Sequence, residues 1–265
     1  VIEMKTCVKF LPDVASIVDD GYRALDKVGI KGVSVYRKDF NDMMVLTKQS
    51  AYVSLASSKG IHMSRLVKPL TVDYCEVTIQ PDDNLLFDLA ASHEVDNAYW
   101  ECNWESMHQL NDVQSIRIGC NLEGTYRDDA YLWYLTLSVP YTSICPCSAD
   151  MVKQYGGIPH MQRAEALCTG QVPSDCELSD VIPSFVCDVL DAVKVYPIPY
   201  MKREDELAWC QNADRYNYFV EDAARRVGAV ADEWFEDWVV ACEHFETIHQ
   251  HSVVGICRKA GGMLR

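Results

Sequence analysis

The chain has 265 residues, 49% of them hydrophobic, which is enough to bury one large core or two of about 130 residues each and excludes intrinsic disorder. Its formal charge of −15 repels polyanions, so nucleic acid is not expected as a partner and any anionic ligand must meet a local basic cluster. No run approaches the roughly 20 apolar residues of a membrane span, and the start VIEMKTCVKF lacks the basic and apolar regions of a secretion signal. Twelve cysteines scattered along a chain of this length suit the reduced thiols of a cytoplasmic protein better than a disulfide scaffold.

In chain order, MVLTKQSAYVSLA (44–56) is rich in β-branched and aromatic residues and ends at the breaker SSKG, which predicts a strand and a turn. GIHMSRLVKPL reads as a helix start or an ordered loop, and TVDYCEVTIQ (71–80) as a strand. QSIRIGCNLEG and DAYLWYLTLSVPYTS form a predicted hairpin across EGTYRDD, and MQRAEALCTGQV is a further strand. IPSFVCDVLDAVKV has Pro183 near a helix start and Phe185, Val189, Leu190 and Val193 on one face. DRYNYFVEDAARRVGAV reads as a second helix stopped by Gly228, and EWFEDWVVACEHFE and HQHSVVGICRK as the closing strands. The order predicts an α+β protein of two tandem modules of antiparallel sheet, residues 1–125 and 126–265.

The stretch TSICPCSADMVKQYGGIPHMQR (142–163) sets Cys145 and Cys147 two apart around a proline, with His160 fifteen residues beyond Cys145. A C-x-C disulfide is strained, and a structural zinc clip needs a second paired motif that the chain lacks. Buried thiols or one edge of an open catalytic metal site remain. FETIHQHSV adds Glu246, His249 and His251, with both histidines on one face if the segment is a strand, an arrangement open to a metal, a proton relay or plain solvation. KGIHMSR brings His62 and Arg65 to one side if the segment is helical, after a Lys-Gly turn that can meet an anion, or is simply a surface helix start. MKREDE, with Lys202, Arg203 and Glu206, reads by itself as an exposed charged loop, and Glu221 as a solvated residue of an amphipathic helix.

Together these segments resemble the type IB GTP cyclohydrolase family, including its archaeal relatives, from about residue 44 to the C-terminus. The motifs that carry the resemblance are KGIHMSR (family pattern K-G-x-H-M-S-R), TSICPCS (T-S-x-C-P-C-S), YGGIPHMQR (Y-G-x-H-N-Q-R), KREDE (K-R-x-D-E), FVED, and EHFETIHQHS (E-N-F-E-S-I-H-N-H). The Cys145 to His160 interval is a few residues longer than the pattern, and Met161 stands where bacterial members have Asn.

The resemblance implies a tunnelling fold and a homotetramer with active sites where subunits meet. It implies one divalent metal per site (zinc, iron(II) or manganese), held by Cys145, His160 and Glu206, with Cys147 outside the ligand set and no redox cofactor. Glu221 anchors the guanine, Glu246 and His249 serve as acid and base with His251 beside them, and His62, Arg65, Arg163, Lys202 and Arg203 are candidates for the triphosphate. The implied reaction is hydrolysis of the guanine imidazole ring of GTP at C8, with loss of formate and closure to a dihydroneopterin phosphate. The resemblance also implies that Glu221 reaches a metal site formed mainly by another chain, or the reverse. Two alternatives from the same superfamily are a nitrile reductase with a nucleophilic cysteine, and a non-catalytic protein that binds a purine or keeps a metal for stability.

Overall fold

The computed structural model describes residues 13, 15–19, 21–71 and 77–262. Eight strands form one antiparallel sheet in sequence order: β1 (Leu25–Lys38), β2 (Met44–Leu55), β3 (Asn97–Asn111), β4 (Gln114–Arg127), β5 (Ala130–Ile144), β6 (Met161–Val172), β7 (Trp238–Phe245) and β8 (Val253–Arg258). Helices α1 (Met63–Thr71) and α2 (Asp83–Ala91) lie between β2 and β3, and α3 (Pro146–Tyr155) between β5 and β6. Helices α4 (Leu178–Val193), α5 (Arg203–Arg215) and α6 (Val220–Trp234) separate β6 from β7.

Alternation builds the two layers. In β3 and β5 every second residue, Trp100, Cys102 and Trp104 or Trp133, Leu135, Leu137 and Val139, is buried against the helices. Leu66, Leu86, Phe185 and Val227, from α1, α2, α4 and α6, join the same continuous core. The two halves repeat the order strand, strand, helices, strand, strand, yet they share that core. Trp133 Nε1 of β5 donates to Asp83 Oδ1 of α2 at 2.8 Å, and the Leu178 amide to Gln80 Oε1 at 3.0 Å. The β4–β5 turn passes through Asp128 and Asp129, both at positive φ.

Several sequence expectations need correction. Thr71 closes α1, and only Thr78 of the described part of 71–80 pairs, in an isolated bridge with Lys38; residues 72–76 lie outside the described residues. The predicted helix 214–230 is the end of α5 followed by α6, which runs on to Trp234 through Gly228. A Cβ on Gly228 would stand 3.1 Å from both Cys257 Sγ and Trp238 Cη2, so this glycine serves helix–sheet packing and not termination. Lys202–Glu206 begins a helix and is not a loop, and His249 and His251 lie in the bend between β7 and β8, outside either strand.

Candidate active site

The Cys145 to His160 spacing has a geometric explanation. β5 and β6 form a hairpin whose last pair is Ile144 with Met161, so Cys145 and His160 are the next residues opposite each other at its mouth. Pro146, at the first helical position, turns the intervening chain into α3. The Cys145 amide then donates to His160 O at 3.4 Å, and the His160 amide to Ser148 Oγ at 3.2 Å. A longer interval changes only the excursion. It is absorbed by α3 and by Gly156 and Gly157, whose φ values of 79° and 122° favour glycine.

The pairing of β6 with β7 brings in the third participant. Arg163 pairs with Phe245, so Gln162 and Glu246 are next in register, and Glu246 Oε2 lies 4.0 Å from His160 Nδ1. These side chains are 11% and 16% exposed, and the His160 Nδ1 atom is buried without a hydrogen-bond partner. That orphan nitrogen beside a thiol-bearing neighbour fits a metal ligand. The fit is incomplete: Glu206 is exposed in the first turn of α5, no contact joins it to Cys145 or His160, and among the described residues no three His, Cys, Asp or Glu side chains are grouped to hold a metal ion. α5 nevertheless abuts the hairpin mouth, because Trp209 and Ala213 pack in one small cluster with Ile144, Ala149 and Met161. Cys147 is exposed in the first turn of α3.

Sequence reasoning missed a buried polar chain behind this pair. Gln162 Nε2 lies 3.2 Å from His244 Nδ1, and His244 Nε2 lies 2.8 Å from Tyr141 Oη; all three residues are at most 4% exposed. Small Ala164 sits between Tyr141 and His244 in the register, which lets the two rings meet edge to face at 5.5 Å. Desolvation lowers the His244 pKa to about 4, against the opposing pull of the Glu246 and Glu221 carboxylates. The imidazole is therefore neutral near pH 7: Nδ1 accepts from the Gln162 amide and Nε2–H donates to Tyr141. This pins the Gln162 nitrogen and leaves its Oε1 buried without a partner. The Q of H-M-Q-R and the H of E-H-F-E were the available signals.

The remaining candidates are spread widely. Glu221, exposed in the first turn of α6, acts electrostatically on His244 of the same chain. His249 and His251 are exposed and stack, with ring centroids 5.1 Å apart and planes 9° from parallel. Alternation sends Arg163 to the face opposite Gln162, where it lines a cavity of about 690 Å³ with Pro197 and Pro199, on the segment leading to Lys202 and Arg203. Other hollows of about 710 and 830 Å³ lie on the helix-free side and contain none of these residues, so the chemistry and not cavity size locates the site. His62 and Arg65 stand apart: His62 Nε2 contacts Asp13 Oδ2 at 2.7 Å, and Arg65 Nη1 donates to Ser92 O at 2.9 Å.

An eight-stranded antiparallel sheet with helices packed over one face defines a tunnelling-fold protein. The crystal structure of uricase from Arthrobacter globiformis matches with a TM-score of 0.57 over 90% of this chain and 95% of its own. A hyper-thermostable variant of that uricase matches at 0.52, over 91% and 94%. At 7% and 8% identity these are likenesses of fold alone. The chain belongs to the FolE2 family: the family model described as type I GTP cyclohydrolase folE2 matches residues 11–255. It is 30% identical to the GTP cyclohydrolase FolE2 of Hydrogenovibrio crunogenus, with 94% of each chain covered, and 29% identical to that of Thiobacillus denitrificans, with 93% of each covered.

Proposed function

We propose that this chain is a metal-dependent GTP cyclohydrolase, opening the guanine imidazole ring of GTP, releasing formate and forming a dihydroneopterin phosphate for pterin and folate synthesis. The observation that carries the reading is the pairing of Cys145 with His160 across the β5–β6 mouth, with Glu246 4.0 Å from the unpartnered His160 nitrogen. Cys145 and His160, with Glu206 brought in from α5, would hold a divalent ion, and this thiolate, imidazole and carboxylate set suits zinc, iron(II) or manganese. When bound, the ion supplies Lewis acidity for activating water.

The side chains divide the remaining work. Glu221 accepts the paired N1–H and 2-amino hydrogens of guanine. Glu246, largely withdrawn from solvent beside His160, takes and returns protons, and His249, steadied by its stacked neighbour His251, protonates the departing ring nitrogen. Gln162 Oε1, fixed by the His244 relay, accepts a hydrogen bond from the bound reactants. Lys202 and Arg203, with Arg163 around the strand end, take the triphosphate.

Position supports a shared assembly. β2 and β5 run in opposite directions, so the segments that follow them, carrying His62 and Cys145, leave by opposite ends of the sheet. Four strand steps between β2 and β6 add roughly 19 Å of lateral separation. His62 and Arg65 therefore reach this site from a neighbouring chain in a cytoplasmic homotetramer, each chain contributing two modules divided near residue 125. The test is anaerobic incubation of the protein with GTP and zinc, iron(II) or manganese in turn, followed by detection of the oxidised fluorescent pterin. GTP left intact with every metal would leave a non-catalytic purine-binding protein as the reading.

A further inference from the structure

Away from that site, a second thiol and imidazole meet. His108 of β3 is 3% exposed, its side chain directed under α4, and its Nε2 lies 3.6 Å from Cys187 Sγ, an exposed thiol on α4. The two line a cavity of about 230 Å³ that also contains Asp191, one helical turn beyond Cys187. A tetrahedral ion with bonds of about 2.3 Å to sulfur and about 2.1 Å to nitrogen separates those atoms by about 3.6 Å. The observed pair already has that separation.

We propose that Cys187 and His108 form a peripheral zinc-binding site, independent of the catalytic centre, with water and Asp191 completing the coordination. Burial keeps His108 neutral by pushing its pKa down, which leaves Nε2 with a lone pair for a metal. Binding releases one proton, from the Cys187 thiol, whose pKa burial and the Asp188 carboxylate raise; the metal–thiolate bond replaces the S–H bond. Asp191 now accepts from Lys194 Nζ at 2.6 Å, an exposed ion pair that exchanges readily for a metal contact. Among the described residues no three such side chains are already grouped to hold an ion, so Asp191 must leave Lys194 and turn toward the pair on binding.

The test is zinc stoichiometry by equilibrium dialysis of the full chain against zinc chloride, with cobalt(II) as a spectroscopic probe. Wild type should hold one more zinc per chain than Cys187→Ser, and Cys187→Ser should lose part of the thiolate-to-cobalt absorption while GTP turnover is retained. Cys210→Ser, an exposed thiol on α5 with no histidine contact, should behave as wild type. The extra ion should persist in Cys145→Ala, which separates this site from the catalytic one. His108→Gln should weaken it at least tenfold, and because His108 is buried, Cys187→Ser is the deciding variant. Equal zinc content in wild type and Cys187→Ser would reduce the contact to a thiol–imidazole hydrogen bond and overturn the proposal.

Discussion

Gln162 is held at one end only, its amide nitrogen on His244 and its carbonyl buried without a partner. A buried acceptor of this kind costs about 1–3 kcal/mol unless something fills it; Gln162→Leu removes that orphan but leaves His244 Nδ1 without its donor, so its stability should stay within about 1–3 kcal/mol of wild type. Its kcat/KM for GTP should nevertheless fall at least tenfold at unchanged metal content, and unchanged kinetics would remove the carbonyl from the reaction. Cys145→Ala and His160→Ala should each lose bound metal together with activity, whereas Cys147→Ala should retain metal, read by elemental analysis after dialysis. His244 adds a pH dependence. Its folded pKa of about 4 lies below the ordinary 6.5, so between those values the unfolded chain binds more protons. Stability is therefore undiminished above about pH 6.5 and falls as the pH drops toward 4, by on the order of 3 kcal/mol from this residue. Urea midpoints at pH 7 and pH 5 measure the loss, and His244→Asn should shrink it; an equal loss in both proteins would move the cause elsewhere.

At the level of elements, glycine opposite an aromatic ring is a repeated device of the sheet. A Cβ on Gly170 of β6 would stand 2.2 Å from the Phe235 ring, and one on Gly124 of β4 would stand 2.5 Å from Trp133, its cross-strand partner. Both rings are buried, so neither can swing aside without moving core. Gly170→Ala should destabilise by about 1–3 kcal/mol or more, read as a lower urea midpoint, and an unchanged midpoint would mean that Phe235 can give way. The same physics explains how much of the fold was legible. Strands β2, β4, β5 and β6 were readable because β-branched and aromatic residues crowd them. β3, NAYWECNWESMHQLN, mixes Trp with Asn, Glu and Gln because most of its outward residues are polar, which hides its alternation. α3 and α5 are short amphipathic pieces that bury only Ala149 and Ala213, so little apolar periodicity marks them. In the candidate site, the residue types and motif order were legible from residue identity, while the His244 relay, built by register across β5, β6 and β7, was not.

For the whole molecule, the open sheet decides what one chain can do alone. β1 and β8 are edges, and Val254 and Ile256 of β8 are 55% and 61% exposed, a surface that association would cover. The distribution of the candidate residues adds a sharper requirement: Cys145, His160, Glu246 and Glu221 belong to the C-terminal half, whereas His62 and Arg65 sit across the sheet and at its other end. If GTP needs both groups, each site joins the C-terminal half of one chain to the N-terminal half of another. Cys145→Ala and Arg65→Ala should both be inactive as purified. After subunit exchange in an equal mixture, about a quarter of the sites would combine two intact halves, since each half is intact with independent odds of one in two. Turnover should recover toward that fraction. Cys145→Ala mixed with Glu221→Gln should stay inactive, because both defects fall in the same half and no pairing of chains repairs a site. Recovery in the second mixture but not the first would reverse the assignment of halves. An active monomer by sedimentation would place the complete site within one chain and remove His62 and Arg65 from it.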